Sequence, residues 1–441
     1  MSQKAVRETI ISRKKYAEKA RKDVIGHEIL RTEECGYIEA ESDENTYDIT
    51  QKQLLNHVSI KACEQAFELK LDEAPIYSKY SRNGTYMLLR NNKGYLASFN
   101  SRSMDMYFEI DLNEEVHDAL YLHNERFIAV AQKNNVFIYD GQGVEIHCIR
   151  DNRGVYKMDY LPYHYLLTTV SRKNILRYQD VSTGKMVSEI QMKDWNIASM
   201  KHNTSNGIVH TGNAKGVVNL WSPNSKEYLV KILCHKSTVS SIEIDRTGKY
   251  MISSGLDGKV NVWDLRNTYT QLNSLNSRSH GMVTSLSQKN MLAMSYGNKV
   301  HVWKGFIESN GKDVLYMKHK VGNDVYSLGF CNYEDVLSIG HGTGVSNIII
   351  PGSGDPVYDS YEDSPFIYKK ARSEKEVRML IDKIPYELIS IESNVGRIHK
   401  AQNTSMPDNT SKRYFDSFSF NNTRKNALSR FYKDKDASLT K

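Results

Sequence analysis

Cysteine and histidine stand side by side twice in this chain, and such a combination could bind a metal ion. The two pairs are His147-Cys148 and Cys234-His235. Because neighbouring residues of a β-strand point to opposite faces, both histidines are interpreted as structural rather than as metal ligands. The five cysteines are odd in number, scattered and without a C-x-x-C pair, which argues against a disulfide framework or a zinc ribbon and favours a reducing compartment.

Glycine-rich stretches raise the question of catalysis, but their spacing does not fit catalytic loops. A phosphate-binding loop requires G-x-x-x-x-G-K-[ST], and the T-G-K stretches at 183–185 and 247–249 lack a glycine five residues before their own. GHGTGVS at 340–346 and PGSGDP at 351–356 lack the G-x-S-x-G spacing of a nucleophile elbow. No pair of carboxylates suggests a general acid and base. We therefore expect no enzyme activity, no cofactor, no metal and no small-molecule substrate.

One set of polar residues is better explained by a fold than by a reaction. Its four members are His235, Ser253, Asp257 and Trp263. They fall where WD-repeat blades place a buried hydrogen-bonded tetrad, in which each polar group satisfies the next. Turn residues at Asp245–Gly248 and Asp257-Gly258 predict two hairpins in the same stretch.

The elements that must hold this tetrad recur along the chain. Strand-like segments end in an aromatic residue followed by a turn, and six of these anchors are Phe99, Tyr139, Tyr178, Trp221, Trp263 and Trp303. Their spacings are 40, 39, 43, 42 and 40 residues, and a seventh unit at 336–350 carries aliphatic residues near the expected place. A period of about 40–45 residues with four strands per unit indicates propeller blades. The predicted fold is all-β: a seven-bladed WD-repeat β-propeller with a helical N-terminal arm and a C-terminal helix-containing extension.

The rest of the chain is predicted to form segments around the ring. The expected segments are 1–30, a basic helical N-terminal arm; 31–71, an extension with a short helix that leads into the propeller; 72–350, the propeller; 351–398, a C-terminal segment with an amphipathic helix; and 399–441, a basic tail that contains aromatic residues. TQKQ at 50–53 fits a helix capping box, and Ser373 with Glu376 fits a second one. Pro385 is expected to end the helix that follows.

No apolar stretch approaches the length of a membrane span, and the N-terminus lacks the apolar block of a signal peptide. We therefore expect no membrane partner and a nuclear or cytosolic location.

The net charge of +7 is concentrated at the two ends. Residues 1–30 carry +4 and residues 397–441 carry +6, which leaves −3 for the body between them. Such a distribution favours a polyanionic partner at the ends and a neutral or basic partner at the body. The N-terminal arm could instead be a solvated helix or dock on a partner helix. The candidate RNA-binding residues are Arg13, Lys14, Lys15, Arg21, Lys22, Lys412, Arg413, Arg424, Lys425 and Arg430.

Apolar residues near the C-terminus form a second candidate surface. Four of them follow the i, i+3, i+4, i+7 positions of one helix face, and so short a helix must pack on the propeller or on another protein. Aromatic residues in the tail could stack on unpaired bases or fill grooves on neighbouring proteins, and the second role is favoured for the phenylalanines. The candidate protein-docking residues are Val377, Leu380, Ile381, Ile384, Tyr414, Phe415, Phe418 and Phe420.

Several stretches together resemble the BING-four family of U3 small nucleolar RNA-associated WD-repeat proteins. They include YSRNGTYMLL, LWSPNSKEYLVKILCH and ISSGLDGKVNVWDLR in the repeats, and PGSGDPVYDSYEDSPF followed by EVRMLIDKIPYELISI after them. The resemblance extends over about 30–398, and generic WD-repeat proteins lack the loop-helix-proline segment.

This resemblance implies a non-catalytic scaffold of the small-subunit processome, the particle that assembles on pre-ribosomal RNA with the U3 snoRNA. It implies a nucleolar location in the nucleus, a requirement in 18S rRNA precursor processing and 40S biogenesis, and partners that include pre-rRNA and other processome proteins, among them other WD-repeat propellers.

A different function is the alternative. VWDLR at 262–266 fits the W-D-x-R pattern of substrate receptors of cullin-type ubiquitin ligases, a role that would use Arg266. A basic residue after Trp-Asp is also common in ordinary blades, so the pattern by itself does not decide between the two functions.

Overall fold

A computed structural model describes residues 11–12, 15–16, 36–40, 44–72, 75–194, 196–276, 283–307, 314–356 and 369–391. Residues 11–12 and 15–16 are helical. Three further helices are α1 (Gln51–Leu55), α2 (Ile60–Gln65) and α3 (Lys369–Ile381), and two 3₁₀ turns are Thr46–Asp48 and Tyr386–Leu388. None of the helices in the described part of the chain combines the length and apolar character that a membrane crossing requires.

The described strands form seven antiparallel sheets of four strands each, which are the blades of a β-propeller. Blade 1 contains β2 (Ile76–Tyr80), β3 (Tyr86–Asn91), β4 (Tyr95–Asn100) and β5 (Met106–Asp111), and blade 2 contains β6 (Val116–Tyr121), β7 (Phe127–Gln132), β8 (Val136–Asp140) and β9 (Glu145–Ile149). Blade 3 contains β10 (Val155–Leu161), β11 (Leu166–Ser171), β12 (Ile175–Asp180) and β13 (Met186–Gln191), and blade 4 contains β14 (Ile197–His202), β15 (Val209–Asn213), β16 (Val217–Trp221) and β17 (Val230–Leu233).

Blades 5 to 7 follow the same order, apart from one strand. Blade 5 contains β18 (Val239–Ile244), β19 (Tyr250–Gly255), β20 (Lys259–Asp264) and β21 (Asn267–Asn276), and blade 6 contains β22 (Thr284–Leu286), β23 (Leu292–Tyr296), β24 (Lys299–Lys304) and β25 (Val314–Lys320). Blade 7 contains β26 (Val325–Phe330), β27 (Val336–His341) and β28 (Gly344–Ile349) together with β1 (Glu68–Lys70). The sequence prediction of a seven-bladed propeller is confirmed.

The ring is closed by a strand from the other end of the chain. β1 pairs antiparallel with β28, Glu68 opposite Ser346, and so becomes the fourth strand of blade 7. The inner strands of blades 7 and 1 then meet, and the Ser78 amide donates to Ser327 Oγ at 3.0 Å. β1 lies in the segment that was predicted to lead into the ring.

The aromatic anchors explain why the repeat period is visible in the sequence. All six lie on the third strand of a blade, where one face of the strand packs against the interior. Tyr178 is fully buried and Trp221 is nearly so, while Trp303 is half-buried. Each blade buries its own apolar layer against the next blade, so the anchor must recur once per blade.

The structure also confirms a helix cap and a hairpin turn that the sequence predicts. The Thr50 amide donates to Gln53 Oε1 at 2.8 Å, which confirms the predicted capping box at α1. The hairpin between β18 and β19 places Gly248 at φ +70°, a backbone conformation that favours glycine. The tetrad described below is held between such hairpins.

Candidate interaction surfaces

Strand direction gives the ring two different faces. The turns after the first and third strands of each blade lie at one end of the strands, and the turn after the second strand and the link to the next blade lie at the other. We call the first end the strap face; its turns after the first strands are 81–85, 122–126, 162–165, 203–208, 245–249, 287–291 and 331–335. We call the second end the open face; its turns are 92–94, 133–135, 172–174, 214–216, 256–258, 297–298 and 342–343.

The N-terminal helices and the loop after the last ring strand pack at the strap-face end of blades 6 and 7. Gln51 of α1 donates through Nε2 to the Ile349 carbonyl at 2.9 Å. In the loop, the Gly354 amide donates to Asp335 Oδ1 at 2.8 Å. The glycine- and proline-rich loop is therefore a fixed connection across the end of the blades in its described part, 351–356.

The C-terminal strap, residues 369–391, lies across the strap face of blades 2 to 4. Its helix α3 makes polar contacts with the β6–β7 turn: Glu376 Oε1 lies 3.2 Å from His123 Nε2, and Arg372 Nη1 lies 2.5 Å from Glu125 Oε1. Burial lowers the pKa of His123, an effect that Glu376 partly opposes. The helix is thus held to the ring by its charged side chains.

The chain beyond α3 is held mainly by its backbone. The Ile384 amide donates to the Tyr163 carbonyl at 3.0 Å, and the Ile384 carbonyl lies 3.1 Å from His164 Nδ1. Lys383 Nζ reaches Asp180 Oδ2 at 2.5 Å. The segment therefore crosses the first and third turns of blade 3 with its main chain fixed.

The strap ends in a buried anchor. Ile389 is 1% exposed and joins the apolar cluster of blades 3 to 5, and Ser222 Oγ donates to its carbonyl at 2.9 Å. Gly207 lies beneath it at φ +71°, and a Cβ there would lie 2.8 Å from His164 Nε2 and 3.2 Å from Ile389 Cγ1. Only glycine combines this conformation with so close an approach.

The four residues predicted to form one apolar face of α3 lie in two different environments. Val377, Leu380 and Ile381 are exposed at 57%, 42% and 77%. Ile384 lies beyond the end of α3 and is half-buried, so the prediction that it continues the same helix face is wrong. The cause is that the helix stops at Ile381 and the following backbone pairs with the β10–β11 turn instead.

Two helix-end predictions also require correction. α3 begins at Lys369, so Ser373 lies inside it and its hydroxyl donates to the Lys370 carbonyl at 2.9 Å. Glu376 faces His123 rather than a cap. Pro385 stands four positions after the end of α3 and precedes the Tyr386–Leu388 turn.

Most of the other predicted site residues lie outside the described residues. Lys15 belongs to an exposed helical segment. Outside the description are Arg13, Lys14, Arg21, Lys22, Lys412, Arg413, Tyr414, Phe415, Phe418, Phe420, Arg424, Lys425 and Arg430. Their roles remain predictions.

The tetrad of blade 5 forms as predicted. Trp263 Nε1 donates to Ser253 Oγ at 3.2 Å, Ser253 Oγ lies 2.9 Å from His235 Nε2, and His235 Nδ1 lies 3.1 Å from Asp257 Oδ1. Burial lowers the pKa of His235, which fits a neutral imidazole that donates to Asp257 and accepts from Ser253. The polar groups of the tetrad are therefore hydrogen-bonded to one another.

Charged side chains on the inner strands link neighbouring blades, and our sequence reasoning missed them. Asp118 Oδ1 of blade 2 lies 2.7 Å from Lys79 Nζ of blade 1, and its Oδ2 accepts from the Met158 amide of blade 3 at 3.0 Å. Although burial alone would raise the pKa of Asp118, Lys79 and then Arg90 lower it to about 2. One carboxylate thus joins three blades.

The same arrangement continues into blades 4 and 5. Asp159 Oδ2 accepts from the His202 amide and lies 2.7 Å from its Nδ1, and Lys201 Nζ lies 3.1 Å from Glu243 Oε2. A signal was present in the sequence, since charged or histidine residues recur at 79, 118, 159, 202 and 243 with nearly the period of the aromatic anchors.

The cysteine and histidine pairs do not form a metal site in the described part of the chain, where no group of three potential ligands gathers. His147 is exposed on β9, and burial raises the pKa of the Cys234 thiol to about 12. The four described cysteines, at 63, 148, 234 and 331, are free. Arg266, the residue of the ubiquitin-ligase alternative, forms a two-pronged pair with Asp264 of its own turn, at 3.0 and 2.9 Å.

Two family models match the chain. The model of the nucleolar protein 10-like N-terminal β-propeller domain matches residues 67–333. The model of the BING4CT (NUC141) domain matches residues 315–392, which include the last blade and the C-terminal strap.

Similar proteins extend over both regions. The chain is 39% identical to U3 small nucleolar RNA-associated protein 7 of Saccharomyces cerevisiae, over 85% of this chain and 71% of that protein. It is 39% identical to WD repeat-containing protein 46 of Caenorhabditis elegans, over 81% of this chain and 62% of that protein. It is 37% identical to the Homo sapiens protein of the same name, over 83% of this chain and 60% of that protein. The chain thus spans about three-fifths of the length of the two latter relatives.

Proposed function

The chain belongs to the family of WD-repeat proteins that includes U3 small nucleolar RNA-associated protein 7 and WD repeat-containing protein 46, and from this premise we propose that it is a non-catalytic scaffold in ribosome biogenesis. It acts in the small-subunit processome of the nucleolus, on the pathway of 18S rRNA precursor processing and 40S biogenesis. Its partners are pre-rRNA with the U3 snoRNA and neighbouring processome proteins, including other propellers.

The observation that carries the proposal is the likeness to a U3 small nucleolar RNA-associated protein over 85% of the chain. The absence of catalysis is supported by the state of the polar groups, because the tetrad and the inner-strand charges are paired with one another rather than converging on a substrate. Polar networks of this kind, which link strands and neighbouring blades, suit a rigid support.

Two surfaces serve the scaffold role. The exposed residues Val377, Leu380 and Ile381 of α3 offer an apolar stripe to a neighbouring protein, because α3 is held to the ring by its polar side chains. The basic ends bind pre-rRNA through the residues predicted from the sequence. For about five contacts with single-stranded phosphates, the slope of log K against log salt is about −3.5.

Sedimentation of the tagged full chain, with sequencing of the RNA that co-purifies, tests this function. We expect co-sedimentation with a large pre-ribosomal particle that contains pre-rRNA and U3 snoRNA. A chain that sediments free, or in a small complex without RNA, would refute the proposal. Depletion should lower 18S rRNA relative to the large-subunit rRNA, and unchanged 18S levels would count equally against it.

A further inference from the structure

Three loops of the open face are joined by their backbones between blades 2 and 3. The link 150–154 lies between the turns 133–135 and 172–174. The Gly154 amide donates to the Asn134 carbonyl at 2.7 Å, and the Arg172 amide donates to the Gly154 carbonyl at 2.9 Å. Side chains that are far apart in the sequence therefore share one surface, whose spacing is set by main-chain hydrogen bonds.

This surface, which we call the basic loop cluster, carries five cations. They are Lys133, Arg150, Arg153, Arg172 and Lys173, and all five are exposed. The loops contain one carboxylate, Asp151, and none of the five cations pairs with a carboxylate among the residues that the structure describes. Arg172 Nη2 lies 3.0 Å from His117 Nε2, and burial followed by Arg172 lowers the pKa of that histidine. Arg172 therefore contacts an imidazole nitrogen rather than a carboxylate.

A cleft of about 410 Å³ opens within the basic loop cluster. It is lined by Asn134, Asn135, Arg150, Arg153 and Gly154. Its lining thus offers two guanidinium groups and two side-chain amides, all of them hydrogen-bond donors, and no carboxylate. Forked guanidinium donors beside amides suit the oxygens of a phosphate group, and the volume falls in the range of sites for small ligands or single nucleotides.

The positive surface continues along the open face of the next blades. Lys215 and Lys236 are exposed on loops of blades 4 and 5, and Lys259 is exposed at the start of β20. The carboxylates on these loops are occupied, since Asp194 contacts Asn219 Nδ2 at 2.5 Å and Asp257 is held by His235. Exposed cations therefore continue from the basic loop cluster onto the next two blades.

We propose that the basic loop cluster binds the sugar-phosphate backbone of RNA, with one phosphate in the cleft between Arg150 and Arg153. The choice of RNA among polyanions rests on the proposed function, whereas the site itself rests on the geometry. On blades 2 and 3 the strap face is covered by the C-terminal strap, so the open face is the side of these two blades that remains available. The body of the ring thus joins the basic ends as an RNA contact.

Fluorescence anisotropy of the full chain with a fluorescein-labelled 20-nucleotide single-stranded RNA, over a range of KCl concentrations, tests the proposal. The variant is Arg150→Ala/Arg153→Ala. Its matched control is Lys226→Ala/Lys249→Ala, which removes two exposed charges from strap-face turns. We expect the variant to bind RNA on the order of tenfold more weakly and its log–log salt slope to fall by about 0.7, for the one single-strand phosphate in the cleft, while the control keeps the original affinity and slope.

Two further arms separate the alternatives. A chain whose ten basic arm residues are replaced by Gln should still lose affinity on adding Arg150→Ala/Arg153→Ala; no further loss would overturn the proposal while leaving the particle-level function intact. A fluorescein-labelled poly-glutamate peptide tests an acidic protein as the partner. Equal dependence of peptide and RNA binding on the two arginines would replace RNA with an acidic protein, and unchanged RNA binding in the variant would end the proposal outright.

Discussion

Ser253 shows how much of a blade can depend on one hydroxyl group. Its Oγ lies 3.2 Å from Trp263 Nε1 and 2.9 Å from His235 Nε2, and the residue is fully buried. Ser253→Ala leaves both nitrogens buried without this partner, so we expect a loss of about 1–3 kcal/mol in the free energy of unfolding. Urea denaturation measures it. Ser103→Ala, on an exposed hairpin, should stay within about 0.5 kcal/mol; an equal effect at both sites would contradict the role of the tetrad.

The buried histidines make the stability depend on pH. Burial lowers the pKa of the fully buried His210 to about 3, while an unfolded histidine titrates near 6.5. The unfolded state then binds more protons below pH 6.5, so stability is complete above that pH and is lost as pH falls. Between pH 7 and 5 this residue should cost about 2 kcal/mol of unfolding free energy. Burial also lowers the pKa of His164 and His341, which act in the same direction.

Urea denaturation of His210→Leu at both pH values isolates that contribution. The variant should lose about 2 kcal/mol less than the parent chain between pH 7 and 5, whatever its stability at neutral pH. An identical pH dependence in both chains would show that His210 is not buried in its neutral form.

At the level of elements, the sequence predicts the local structure of a segment but not the surface on which that segment packs. Thr50 and Gln53 cap α1 as predicted because both partners lie within one turn. Ser373 has the same local pattern, yet α3 begins earlier at Lys369. Ile384 continues the apolar spacing, yet its backbone pairs with the β10–β11 turn. Contacts between residues more than 200 positions apart leave no local pattern, so the strap could be predicted as a helix but not placed.

The C-terminal strap should depend on Ile389 more than on its helix. Ile389 is 1% exposed within the apolar cluster of blades 3 to 5, whereas Ile391 is 50% exposed. Ile389→Ala should cost about 2–4 kcal/mol in local packing and raise the rate of proteolytic cleavage within 382–391, because the strap opens more often. Ile391→Ala is the matched control and should be cut at the parent rate. Equal rates for the two variants would show that the polar contacts alone hold the strap.

For the whole molecule, the sequence predicted the repeated blades. For the closure of the ring, it predicted the segment that leads into the propeller but not the pairing of β1 with β28. Aromatic anchors recur because every blade solves the same packing problem, and the seven units followed from their spacing. The charged inner-strand positions recur with nearly the same period but were hidden among many surface charges. The open-face cluster could not be found from the sequence, because the turns 133–135 and 172–174 meet the link 150–154 only once the ring has formed.

Ring closure by β1 makes the stability of the whole propeller depend on residues outside the repeats. The Asn347 amide donates to the Phe67 carbonyl at 2.8 Å, and the Leu71 amide donates to the Thr343 carbonyl at 3.0 Å. Phe67 also packs edge-on against Phe99 of blade 1, with ring centroids 6.0 Å apart. A chain that starts at residue 72 loses these contacts and leaves β28 as an unpaired edge, which invites aggregation.

We therefore expect a chain that starts at residue 72 to unfold at a much lower temperature than the full chain, and to form larger species in analytical ultracentrifugation. A chain that starts at residue 36 keeps α1, α2 and β1, and should unfold as the full chain does. Because a toroid shares its apolar layers between neighbouring blades, opening one junction exposes the faces of blades 7 and 1 together. If removal of β1 left the melting temperature unchanged, blade 7 would have to be stable with three strands, and closure would depend on the direct contacts between blades 7 and 1, such as those of Ser78 with Ser327 and Ser338.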